Sequence, residues 1–379
     1  MAFDWSSTTP GPEPEELEIS IFGPGYGECV VIHVGSGRWM IVDSCIDSSD
    51  RDDKRPVAEQ YLRAINVNLE ESVDLIVATH WHSDHIRGIG RLVELCRNST
   101  FSCANSMLQE EFLVYVEEMA TAASSTDGAK ISDFREAIRQ VRSRNGAIRW
   151  ATGGRLIHSW QSAANPEKPR CRVSALSPSD REFDLFLAEV NAARPLPTKP
   201  KKAAASRTPN LASIVLHVQH EIDSIVLGAD MEAHHDPLRG WTAAIHEGQR
   251  GALPRGGLLK VPHHGSATGH HDGIWNNLLD SMPLAVITPF NRLPDSRKLP
   301  TSEDLARLTS LTRELYLTAP AHRSSPRRRA AAVERGLRES NISIRESAVP
   351  LGLVRSRKRV GHEWITQLFH PATRIASGY

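Results

Sequence analysis

The run Asp74-Leu75-Ile76-Val77-Ala78-Thr79 leads directly into His80-Trp81-His82-Ser83-Asp84-His85. A short, continuous apolar stretch reads as a strand buried on both faces, as in a parallel sheet. This one ends in three imidazoles and a carboxylate. In an extended segment alternate side chains point the same way, so His80 and His82 can grip one ion while Asp84 and His85 turn toward a second. Gathering so many titratable groups at one strand end costs stability unless a cation neutralises them. Imidazole nitrogen and carboxylate oxygen are ligands that zinc, manganese and iron accept.

The pattern recurs twice. Ser224 to Ala229 is an apolar run that ends in Asp230-Met231-Glu232, and Leu258 to Pro262 ends in His263-His264-Gly265-Ser266. Asp230 fits either a bridge between two ions or an N-cap for the segment that follows. Glu232 reads as supporting the site or facing substrate. Of His263 and His264, one is expected to bind metal and the other to contact substrate. Three strands that each deliver ligands at their carboxyl end describe a site at one sheet edge, where loops converge.

Working outward, Leu17 to Phe22, Cys29 to Val34 and Arg38 to Asp43 are short β-like runs separated by glycine-rich turns, which predicts a β-meander. Helical spacing occurs over 56–65, 106–123, 132–144 and 180–193, with Ser132 placed as an N-cap. Further strands are expected at 172–176, 212–219, 284–289 and 313–318. Residues 194–209 and 320–330 are basic, proline-containing breaks that read as surface loops. Beyond them, 342–346, 352–357 and 364–369 alternate like an antiparallel ladder that extends one sheet, a C-terminal β extension over 342–370. Residues 1–16, rich in Ser, Thr, Pro and Glu, are expected to be flexible, and 17–379 to form one domain.

Composition excludes several classes. The 379-residue chain has 45 basic and 45 acidic side chains, so bulk polycationic wrapping of nucleic acid is not expected and phosphate contacts must be local. The five cysteines are odd in number and sit mostly in apolar runs, which predicts reduced packing residues. Neither a signal peptide nor a run of roughly 20 apolar residues is visible, so a cytoplasmic chain with no membrane partner is expected.

In order, Gly25-Tyr26-Gly27-Glu28-Cys29, Ile41-Val42-Asp43, the His80 to His85 cluster, Gly228-Ala229-Asp230 and His263-His264-Gly265-Ser266 resemble the metallo-β-lactamase superfamily. The nearest branch is the competence-type one, which holds the hydrolase domain of DNA-uptake channels and is similar to phosphorylcholine esterases. The resemblance spans 17–318 and implies an α/β fold, an αββα four-layer sandwich, here with additional C-terminal strands. It implies two divalent metal ions, Zn2+ first and Mn2+ second. His80 and His82 would hold one, Asp84, His85 and His264 the other, with Asp230 between them and Asp43 orienting the histidine loop.

Two departures stand out. Many family members carry a further histidine in a Gly-His-Thr context; here the interval offers only His158, His217 and His220, and Asn210-Leu211-Ala212-Ser213 resembles the Asn-x-x-Ser element that the competence-type branch has instead. Where that branch often has Gly-His-Pro-Ser, this chain has Lys298-Leu299-Pro300-Thr301-Ser302.

The resemblance implies phosphodiester substrates, DNA or RNA among them, with Asp84 accepting the water's proton and His263 facing charge that develops on the substrate. Lys199, Lys201, Lys202 and Arg207, then Arg323 and Arg327 to Arg329, then Arg355, Arg357, Lys358 and Arg359 are the basic residues expected to reach phosphates. The alternatives are hydrolysis of a lactam, lactone or thioester carbonyl, and a metal-binding interaction or regulatory module without turnover.

Overall fold

The computed structural model describes residues 3–24, 26–47, 53–121, 126–162, 169–193, 209–291, 298–321, 335 and 350–376. The meander forms as expected: β1 (Leu17–Gly23), β2 (Cys29–Val34) and β3 (Trp39–Val42) pair antiparallel. Helices α1 (Val57–Ala64) and α2 (Leu69–Ser72) lead to β4 (Val73–Ala78), which lies parallel to β3. After α3 (Ser83–Ile86) and α4 (Ile89–Leu95), β5 (Thr100–Ala104) continues the parallel half. Then α5 (Glu110–Thr121) and α6 (Thr126–Ser143) precede β6 (Ile148–Ala151) at its edge. Ser132 lies inside α6, because the helix already starts at Thr126 and needs no cap there.

The second sheet repeats this plan. Strands β7 (Arg155–Gln161) and β8 (Pro169–Ala175), helix α7 (Asp180–Ala193), then β9 (Leu216–His220) and β10 (Asp223–Leu227) supply its antiparallel half. Its parallel half is β10 with β11 (Gly256–Lys260), which follows α8 (Gly240–Arg250), then β12 (Leu279–Ile287) and, after α9 (Ser302–Thr309), β13 (Glu314–Leu317). Chemistry follows from this topology, since parallel neighbours release their carboxyl ends on the same side. That places the loops after β3 and β4 at one edge of the first sheet, and those after β10, β11 and β12 at one edge of the second.

Alternation along the strands explains the layering. Ile225, Leu227, Leu258, Leu284 and Val286 join a core cluster shared with the first sheet. Their neighbours Val226, Leu259, Ala285 and Ile287 join a second cluster with Trp241 and Ala244 of α8 and Leu305 and Leu308 of α9. On the first sheet, Tyr61 of α1 packs on Phe22 and Trp39. Helices thus cover two large face-to-face sheets, the mixed α/β layering of the metallo-β-lactamase fold.

The chain ends differ from expectation. Strands β14 (Gly352–Lys358) and β15 (Ile365–Phe369) extend the first sheet beside β1, but β16 (Thr373–Ile375) crosses to the second beside β13. The stretch 342–346 lies outside the described residues. Instead of fraying, the N-terminal segment packs: Asp4 caps a turn at Trp5–Thr8, Phe3 and Trp5 meet Phe369 and Phe22, and the Arg355 guanidinium donates to the Thr8 carbonyl. All five cysteines are buried and unpaired. Among the described residues no helix is long and apolar enough to cross a membrane.

Candidate metal centre

The loops after β3, β10 and β11 leave their strands through backbone geometry that the sequence does not advertise. Asp43, Ala229, His263 and His264 all have positive φ, at 61°, 45°, 47° and 55°. Non-glycine residues avoid this region unless surrounding contacts hold them, and such strain gathers at functional sites. Asp43 shows how it is held. Its carboxylate accepts from the Thr79 backbone N–H and hydroxyl, both at 2.7 Å, and from His85 Nδ1 at 2.7 Å.

With Nδ1 so engaged, His85 turns Nε2 toward Asp230 Oδ1, 3.5 Å away, and Asp84 Oδ2, 3.9 Å away. His264 behaves alike: Nδ1 donates to the Thr288 carbonyl at 2.8 Å, and Nε2 lies 3.6 Å from both Asp84 Oδ2 and Asp230 Oδ2. His80 Nε2 stands 3.7 Å from Asp230 Oδ2 and 3.1 Å from His82 Nδ1. Two groups of donor atoms result, His80 with His82 and Asp230, and Asp84 with His85 and His264, each within 4.8 Å.

These spacings fit a cation better than they fit hydrogen bonds. Separations of 3.5 to 3.9 Å are too long for hydrogen bonds. An ion with bonds of about 2.0–2.1 Å sets tetrahedral ligands roughly 3.3–3.4 Å apart. His85 Nε2 and Asp230 Oδ1 are also buried with no hydrogen-bond partner, a costly state that coordination would relieve. A further group, Glu28 with Asp43 and His85, is close enough to hold a metal, but its oxygens are engaged by Lys260, Thr288 and Thr79.

Electrostatics agree. Burial pushes the His80 and His82 imidazoles below their usual range, which keeps them neutral and free to coordinate. Burial acts on His85 and His264 too, but Asp230 and Asp84, joined at His85 by Asp43, outweigh it and raise both. Asp84 and Asp230 are lowered despite burial by His85 and His264. The field that attracts protons to these imidazoles would attract a divalent cation.

At the open side, His263 Nδ1 lies 3.2 Å from Glu232 Oε1 and 2.9 Å from the Thr268 hydroxyl. Asn210 donates to the same Glu232 oxygen at 3.2 Å. The Asn-x-x-Ser element therefore reaches the site rim, and the Ile214 N–H that follows it donates to the Thr79 carbonyl at 3.2 Å. His158 stacks on Trp160, His217 meets the Pro254 carbonyl at 2.7 Å, and neither they nor His220 enter the donor groups found among the described residues. The turn at 298–302 has a structural task, since Thr301 and Asp304 form the capping box of α9.

Sequence reasoning missed an aromatic rim: Phe290 stacks on His264, Tyr26 meets Phe290 edge-on, and Tyr26 shares a 2.6 Å hydrogen bond with Ser83. Of the C-terminal basic residues, Arg355 reaches Gln367, and Arg357, Lys358 and Arg359 pair with Glu18, Asp223 and Glu16. The other basic residues, within 194–207 and 323–329, lie outside the described residues.

Residues 22–110 match the family model described as the Metallo-beta-lactamase superfamily. No curated protein matches the sequence. Among solved structures, the chain is similar to the metallo-beta-lactamase SMB-1, at 15% identity over 69% of this chain and 82% of that one, with a TM-score of 0.34. It is similar to the beta lactamase superfamily hydrolase AbOPH at 12% over 63% and 83%, with a TM-score of 0.35. To Zn2+-bound PqqB from Methylobacterium extorquens the figures are 10%, 61% and 58%, with a TM-score of 0.32. The span matched by that family model, 22–110, contains the His80 to His85 cluster.

Proposed function

We propose that this chain is a dinuclear hydrolase that cleaves phosphodiesters. The observation that carries the dinuclear reading is the position of Asp230, whose two oxygens face His80, His85 and His264 at 3.5 to 3.7 Å. His80 and His82 would hold one ion, Asp84, His85 and His264 the other, and Asp230 would join them. Zn2+ suits this nitrogen-rich set, with Mn2+ next. Bound there, such ions supply Lewis acidity and an activated water at neutral pH.

The chain's own residues would then orient and discriminate. Asp43 fixes the His85 ring and the turn at Thr79. His263, held by Glu232 and Thr268 at the open side, would face the charge that develops on a phosphoryl oxygen. Asp84 would take up the proton that water releases. Support for a phosphodiester comes from the competence-type resemblance, including Asn210 to Ser213 in place of a further histidine.

One observation favours a second reading. Tyr26 and Phe290 line the side near His264, and Arg357, Lys358 and Arg359 are paired with carboxylates, a setting that suits a less charged carbonyl substrate such as a lactam, lactone or thioester. The two separate on assay of Zn2+- or Mn2+-loaded protein with bis(p-nitrophenyl) phosphate, single-stranded DNA, a chromogenic cephalosporin and an acyl lactone. Phosphodiester turnover that His82→Ala abolishes supports the first reading. Acyl turnover alone replaces it with the second. Two bound ions without turnover on any of these point to a metal-binding regulatory module.

A further inference from the structure

Glu28 and Lys260 form an ion pair whose side chains are 3% and 1% exposed. Glu28 immediately precedes β2 in the first sheet and Lys260 ends β11 in the second, so the pair joins the sheets beneath the metal centre. Two charges withdrawn from water are tolerated only when their remaining polar capacity is used. Here it is. The same Glu28 oxygen accepts from the Thr288 hydroxyl at 2.6 Å, and Lys260 Nζ donates to the Ala229 carbonyl at 3.4 Å.

Each of the three residues also touches the backbone or ring of a different ligand segment. The Glu28 N–H donates to the Asp84 carbonyl at 2.9 Å. Lys260 holds the carbonyl of Ala229, the positive-φ residue just before Asp230. The Thr288 carbonyl fixes the His264 ring through Nδ1 at 2.8 Å. The bonds of this triad go to the loops of Asp84, Asp230 and His264. His80 instead meets Thr79, whose hydroxyl lies 3.1 Å from His80 Nδ1 and is itself bonded to Asp43, and His82 meets His80 at 3.1 Å.

We infer that Glu28, Lys260 and Thr288 form a positioning triad that sets how the Asp84, Asp230 and His264 loops approach one another. The triad acts most on the site made by Asp84, His85 and His264 and less on the other, which it reaches through Asp230 alone, while Asp43 governs the His80 side and the His85 ring. The inference rests on the dinuclear reading. It differs from a simple brace between sheets in predicting an asymmetric effect on the two ions.

The test is calorimetric titration of the chelator-stripped full chain with Zn2+, alongside thermal unfolding. Lys260→Met leaves Glu28 buried without its partner and should lower the melting temperature as well as Zn2+ affinity. Glu28→Met combined with Lys260→Met removes both charges, which often restores stability at a buried pair. In this double variant the melting temperature should recover while Zn2+ affinity stays lower, by about 10- to 100-fold at one site, the scale of lost outer support, and by less at the other, which shares Asp230. If both sites keep wild-type affinity, the triad is only a brace and the inference is overturned. Should the double variant fail to fold, Thr288→Val keeps the ion pair and the backbone carbonyl on His264 but removes the hydroxyl that ties Glu28 to that loop, and must weaken one site more than the other; equal loss at both sites, or none, overturns the inference. Wild-type protein that takes up no Zn2+ overturns the dinuclear reading itself, a result seen before any variant is compared.

Discussion

At His85 the two ring nitrogens divide the work: Nδ1 donates to Asp43, and Nε2 faces Asp84 and Asp230. Because the carboxylates raise His85 and His264 against burial, a cation must displace protons there. Zn2+ affinity should therefore rise with pH through neutrality, with proton release on binding; equal affinity at about pH 6 and 8 would contradict this. The metal-free chain should respond in the opposite sense. Its raised imidazoles contribute stability that is complete below about pH 6.5 and fades as pH climbs through their folded values, so chelated protein should melt earlier at higher pH. Among substitutions, Asp43→Ala should cost about 10- to 100-fold in metal affinity, measured by chelator competition, because it frees both His85 and the Thr79 turn. Asp230→Ala should cost more than His82→Ala in activity and bound metal, since Asp230 faces three of the imidazoles. The ligand types were legible in the sequence because they cluster after apolar strands. Lys260 was not: a lysine in a strand reads as solvent-facing, and its partner Glu28 stands just before a strand of the other sheet.

Strand ends carry the next level of control. A Cβ on Gly228 would come within 2.9 Å of the Pro262 backbone nitrogen and closer still to its ring, so β10 and β11 deliver Asp230 and His264 together only because this position is bare. Gly228→Ala should destabilise by about 1–3 kcal/mol and weaken metal binding, read from thermal unfolding and Zn2+ titration. An unchanged melting temperature would mean that the loops can separate freely. The same strands explain what was readable. β4, β10 and β11 are buried on both faces and therefore show as continuous apolar runs. β6, Ile-Arg-Trp-Ala, is short, lies at an edge and is exposed at its centre, and β5 is rich in Ser, Thr and Cys, so neither was anticipated.

Over the whole molecule, the chain ends close the structure. β14 pairs with β1 from Gly352 to Lys358 and covers what would otherwise be an open edge, while Arg357 neutralises the buried Glu18. Removing 350–379 should therefore lower the melting temperature and the soluble yield, whereas Arg359→Ala, at an exposed pair, should change stability by less than about 1 kcal/mol. Periodicity could show these strands but not their partners, since register across such a separation is set by tertiary packing; hence one sheet was expected where two are extended. Zero net charge likewise gave no hint that Arg357, Lys358 and Arg359 have carboxylate partners. The most direct test of the dinuclear hydrolase is elemental analysis of the full chain after dialysis against Zn2+, with His82→Ala beside it. About two ions per chain are expected, falling to one in the variant with retained secondary structure. A wild-type chain that holds no metal, or a variant that holds as much as wild type, would contradict the dinuclear reading.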